Sequence, residues 1–251
     1  MQALAGISFV ALIGASLVVG VRLLWLARRT RELPEWVLGA NLVLVMGIAY
    51  PGMIVTEADL GWSLAAQRAV MVAMNVVINT GFFLLFVFTA SVFRPGAAWT
   101  KWLLAMAASL FVVHIMLVTD ILYSFDDLAE GRPAANRTGL ISLGTAAVGY
   151  AWSSIEAFMH WGRLRRREKI GLVDPVLCNR MWLWAMMSVS SFAGALATWV
   201  YLVLGIDVLV TPSAMLIVSL TGLGQGLFLW LTFLPPAAYV GFVRGRAAPS
   251  A

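Results

Sequence analysis

Glu156 and His160 stand four residues apart in an otherwise apolar run, with Ser153 close by. On a helix that spacing puts both side chains on one face. A carboxylate bonded to an imidazole can take up a proton and relay it, or relay a conformational signal. A plain structural pairing, of Glu156 with His160 or with a loop arginine, is the alternative. A second group is spread over several apolar runs: Asn79, His114, Tyr150 and Gln225, with Asn75 one turn from Asn79. At a helical rise of ~1.5 Å per residue, all four lie roughly 12–18 Å below the outer membrane surface. They are expected to form one polar layer that contacts a ligand. Interhelical hydrogen bonding, at about 0.6 kcal/mol per bond, is the competing reading.

Other chemistries find little support. Two histidines and the single cysteine, Cys178, lack the ligand spacing of a closed metal site. His114 and His160 differ in depth, which argues against a bis-histidine haem. Gly-x-Ser-x-Gly, His-Glu-x-x-His and phosphate-loop patterns do not occur. A retinal Schiff base needs a lysine inside the bundle, and the only lysines are Lys101 and Lys169 in expected loops. The expectation is therefore no catalytic residue, no metal, no cofactor and no enzyme activity.

These side chains need elements to hold them. The chain has 251 residues, 61% of them hydrophobic and 12% charged. A soluble domain carries roughly 25% charged residues, so a soluble enzyme core and a disordered chain are excluded. A membrane helix needs about 20 mainly apolar residues. Seven segments meet that: Ala3–Leu26, Trp36–Thr56, Ala69–Phe93, Trp102–Leu122, Gly139–Trp161, Met181–Leu204 and Ser213–Leu234. The expected fold is all-α, a polytopic seven-transmembrane-helix bundle forming one domain.

The loops set its orientation. All of the 17 basic residues except Arg68, Arg132 and Arg137 fall on one side, with the densest run at Arg163, Arg165, Arg166 and Arg167. Excess Lys and Arg mark the cytoplasmic face, so the amino end is expected outside and the carboxyl end inside. The net charge of +5 then reflects topology and contact with anionic lipid, not nucleic-acid binding. The opposite loops are acidic: Glu57, Asp59, Asp126, Asp127, Glu130 and Asp207. Ser124–Thr138 is expected to be a polar outer loop. Pro34 opens the second helix, and Asp174–Pro175 caps and opens the sixth. Pro95 and Pro235–Pro236 stop the third and seventh. The third and seventh helices end alike, which suggests a 3+1+3 parallel repeat of the kind found in transporters. Gly222 and Gly226, with the small residues Ser188–Ala195, would serve tight packing within the bundle or a homodimer face.

Arg29–Glu35, Val92–Pro95, Gly171–Arg180 and Leu234–Pro236 together resemble stretches of uncharacterised bacterial seven-helix membrane proteins. They are more distantly similar to the membrane sensor modules that precede histidine kinases. The resemblance implies an inner-membrane sensor-like or receptor-like protein. It would bind a small ligand and signal to a separate cytoplasmic partner through Arg163–Arg167. A small-solute transporter and an accessory subunit of a membrane complex are the alternatives.

Overall fold

A computed structural model describes residues 2–57, 61–206, 208 and 211–247. The expected outer-loop acids Asp59 and Asp207 lie outside the described residues, as do the side chains of Glu57 and Arg246. The elements in order are α1 (Gln2–Thr30), α2 (Leu33–Leu42), a π-helical segment (Val43–Ala49), α3 (Tyr50–Glu57), α4 (Leu64–Phe93), α5 (Ala98–Ser124), α6 (Leu128–Glu168), α7 (Pro175–Val203), α8 (Pro212–Phe233) and α9 (Ala237–Ala247). The described residues contain no strand. Six spans are long and apolar enough to cross a membrane: α1, the α2–α3 unit, α4, α5, α7 and α8. Large apolar side chains such as Val10, Met116, Ile155 and Leu220 face outward, as an integral membrane protein requires.

Local chemistry sets the helix ends. Pro34 sits in the first turn of α2, where a missing N–H costs nothing. Ser63 caps α4 by accepting from the N–H of Ala66 at 3.3 Å. Asp174 caps α7 by accepting from Val176 at 2.8 Å, with Pro175 following it. Arg94 and Leu234 leave their helices with nearly the same backbone, φ −136° ψ 49° and φ −132° ψ 47°. Each precedes a proline, whose ring excludes the α conformation from the residue before it. This local rule accounts for the similar endings without a repeat.

Packing closes the helices into a ring. α1 contacts α2 and α8, α2 contacts α4, α4 contacts α6, α6 contacts α7, and α7 contacts α8. Among the described residues the backbone of α5 runs close to α4 and α6 alone, so it lies outside the ring in the groove between them. Small residues set the closest approaches. A Cβ on Gly39 would lie 2.9 Å from the carbonyl oxygen of Gly20, and one on Gly20 would lie 3.1 Å from that of Gly39. Gly226 packs on the Leu12 backbone, and Gly194 and Gly224 pack on Thr221 and Ser190. The small residues of α7 and α8 are therefore used inside the chain.

The ring has two distinct ends. At one, Arg22 reaches Phe233, Arg94 reaches Glu156 and Arg244 reaches Asp174. At the other, Arg132 donates to the Thr56 carbonyl at 3.2 Å and Arg68 donates to the Phe125 carbonyl. The second pair of arginines meets C-terminal carbonyls that their own helices leave unbonded.

Two expected elements differ. Ser124–Thr138 is not a loop beyond Asp127, because α6 begins at Leu128 and runs unbroken for 41 residues. Pro133 lies in its second turn, where it forfeits only one backbone bond. Polar composition here marks a helix that extends past its apolar stretch. The second span is also not a plain helix. Pro51 can neither donate to the carbonyl of Gly47 nor avoid its oxygen, and the chain widens into π turns just before it, with Tyr50 N–H reaching the Val45 carbonyl. α6 is the least apolar long helix, since Ser142, Thr145, Ser153, Ser154 and Glu156 are all buried in the bundle.

Candidate functional site

Three helices meet at a polar centre. The side-chain amide of Asn79 on α4 donates to its own helix, to the Asn75 carbonyl at 2.7 Å. That bond fixes which side of the amide carries nitrogen. The same nitrogen lies 2.9 Å from Nδ1 of His114 on α5. Nδ1 is thereby the acceptor, which leaves the ring proton on Nε2. The amide oxygen accepts from the hydroxyl of Ser142 on α6 at 2.6 Å. Asn79, His114 and Ser142 are all buried. One amide thus ties α4, α5 and α6 together.

The expected polar layer forms only in part. Asn79 and His114 converge. Asn75 contributes its backbone carbonyl, while its side chain turns back to Met71 at 2.9 Å. Tyr150 sits about 12 Å along α6 from Ser142 at ~1.5 Å per residue and packs edge-on to Phe82, centroids 6.4 Å apart. Gln225 lies apart from them, because among the described residues the backbone of α8 runs beside α1 and α7 and not beside α4, α5 or α6. Equal depth did not imply neighbouring helices. Ser142 carries no local signal in the sequence, because it lies 63 positions from Asn79.

The second centre lies near the other end of α6. Glu156 does not pair with His160. Its Oε1 accepts from Arg94 Nε at 2.7 Å and from the indole N–H of Trp152 at 3.2 Å. Trp152 is itself held between Phe86 and Trp99. His160 packs edge-on to Phe93 at 6.0 Å, and Ser153 bonds to Ser188 of α7 at 3.2 Å. The proton-relay pair is therefore replaced by a buried carboxylate with a cation and an indole on one oxygen. The Arg94–Pro95 corner that ends α4 aims the guanidinium inward.

Beyond Glu156, α6 continues past the body of the bundle. Arg163, Arg165, Arg166 and Arg167 are exposed, and Leu164 between them is buried. Arg165 lies 5.2 Å over the ring of Trp161. Gly171 then reverses the chain with φ +73°, and its N–H bonds to the Glu168 carbonyl at 2.9 Å. Arg165, Glu168, Lys169 and residues 171–175 surround an open hollow of about 630 Å³. Ile170 and Leu172 project from this basic turn.

No protein-family model matches the chain, and neither a curated protein nor a solved structure is similar to it. Among the described residues no group of three potential metal ligands occurs, and Cys178 is buried as a free thiol.

Asn79→Ala is expected to destabilise the protein by about 1–2 kcal/mol, above the ~0.6 kcal/mol average for an interhelical bond, because it strands two buried partners. A double-mutant cycle with His114→Ala, followed by unfolding in mixed micelles, checks this. Strictly additive losses would mean that the pair does not interact.

Proposed function

We propose that this chain is a receptor-like membrane module. It crosses the bilayer seven times, with its amino end outside and its carboxyl end in the cytoplasm of a bacterial cell. α6 supplies the seventh crossing despite its lower apolarity. A small, mostly apolar ligand enters the aromatic layer of Phe82, Phe86, Phe111 and Tyr150. There it changes the bonding around Asn79 and His114. The change moves α6, and a separate cytoplasmic partner senses the movement at Arg163–Arg167.

One observation carries this reading: a single unbroken helix holds Ser142, Glu156 and the exposed arginines. At ~1.5 Å per residue, about 30 Å separates Ser142 from Arg163. A rigid element with a polar contact at one level and a solvent-exposed end at another suits signal transfer. The distribution of basic residues supports the orientation.

The test uses spin labels at Arg28→Cys and Arg166→Cys with Cys178→Ser. His114→Leu is expected to shift the interlabel distance by about 1–2 Å, the usual scale of helix displacement in switching proteins. An unchanged distance distribution would overturn the coupling. Solute flux through the purified protein in proteoliposomes would establish the transporter alternative instead.

A further inference from the structure

α1 carries a cation where its outer face should be wholly apolar. Leu17, Val18, Val21, Arg22 and Trp25 line an open groove of about 670 Å³ on the outside of the ring. Val18, Val21 and Trp25 are about half exposed, and their spacing keeps them on one face of the helix. Arg22 interrupts that face. α1 continues to Thr30, so Arg22 lies about 12 Å below the helix end at ~1.5 Å per residue. Its level in the bundle is fixed independently: Nη1 donates to the carbonyl of Phe233, the last residue of α8, at 3.4 Å. That carbonyl has no helical donor because Pro235–Pro236 ends the helix.

This contact uses one of five guanidinium N–H groups. Among the described residues no carboxylate pairs with Arg22. A guanidinium facing hydrocarbon is costly unless it meets an anion or reaches the headgroups. A second cation stands two turns further along the same face of α1. The Arg29 guanidinium lies 3.5 Å from the centroid of the Trp25 ring, which holds it at the mouth of the groove. An apolar trough thus leads to two arginines and an indole. That order of chemistry matches an acyl chain leading to a negatively charged headgroup.

We propose that this face of α1, beside the end of α8, is a binding site for one anionic phospholipid. The phosphate sits on Arg22 and Arg29, and an acyl chain lies along Leu17, Val18 and Val21. A zwitterionic lipid offers the same chain and phosphate but no net charge, so the site discriminates by charge. This assignment does not depend on the receptor reading, since it concerns the outer surface of the ring.

Native mass spectrometry of the full chain in detergent, titrated with phosphatidylglycerol or phosphatidylcholine, tests it. A saturable one-lipid adduct is expected with phosphatidylglycerol at the lower concentration. Arg22→Gln and Arg29→Gln should each weaken that adduct roughly five-fold, the effect of one interfacial basic residue. Arg22→Lys should retain most of the binding, and Val18→Trp, which fills the trough and keeps both cations, should lower it. Arg163→Gln, on the exposed last turns of α6 away from this groove, should change nothing. Equal binding of the two lipids would overturn the proposal. So would an unaltered adduct in Arg22→Gln, or an equal loss in Arg163→Gln.

Discussion

Arg94→Ala should destabilise the bundle by about 2–3 kcal/mol, and Glu156→Gln by clearly less. The asymmetry follows from where the two charges sit. The Glu156 side chain is 7% exposed and that of Arg94 is 36% exposed. Removing the arginine leaves a carboxylate buried with only the Trp152 indole for company. Losses of about 3–5 kcal/mol are typical when one member of a buried pair is removed. Partial solvation of Arg94 lowers the figure here. Removing the charge from Glu156 leaves an arginine that can turn to water, and glutamine still offers an oxygen to Trp152. The double variant Arg94→Ala, Glu156→Gln should therefore be more stable than Arg94→Ala alone. Reversible unfolding in detergent measures all three. If Arg94→Ala costs no more than Glu156→Gln, the carboxylate is better solvated than its burial implies.

The second large effect concerns backbone contact between α1 and α2. Gly39→Val is expected to cost about 3 kcal/mol or to prevent assembly. An added Cβ would meet the Gly20 carbonyl oxygen at 2.9 Å and the Leu24 amide nitrogen at 3.0 Å. Neither is the mobile tip of a side chain, so the helices themselves would have to part. Gly162→Ala is the control. Nothing lies within 4 Å of a Cβ at that position, and within α6 alanine is favoured over glycine by roughly 0.5–1 kcal/mol. A thermal-stability comparison in one detergent should move the two variants in opposite directions. A mild loss in Gly39→Val would mean that the α1–α2 contact is loose.

What the sequence made legible was local. Of the seven apolar runs, six are helices long and apolar enough to cross a membrane, since hydrocarbon demands length and composition and little else; 139–161 falls short because polar side chains dilute it. Asp174–Pro175, Pro34, Pro95 and Pro235–Pro236 gave helix ends because each acts through its own backbone. Asn79 and His114 were recognisable as costly polar groups at similar depth. What stayed hidden was lateral. Gln225 shares their depth and faces a different part of the ring. Ser142 completes the centre, yet serine is too common in membrane helices to stand out. Glu156 meets a loop arginine and not His160 one turn away, but the sequence could not say that the arginine is Arg94, 62 positions away. The π turns before Pro51 need no distinctive residue type, so only the proline hinted at them. The polar stretch after Ser124 reads as a loop because polarity reports solvent contact and leaves backbone conformation open.

The closure of α1 on α8 bears on how the protein is made. A helix inserted early must stand in the lipid with one flank bare until the intervening chain has been translated. Leu12 meets its glycine seat on α8 only then, and Arg22 finds the Phe233 carbonyl at the same moment. Until then the flank of α1 that α8 covers stays open, and a ribosome that stalls before α8 would leave the bundle unclosed along that seam.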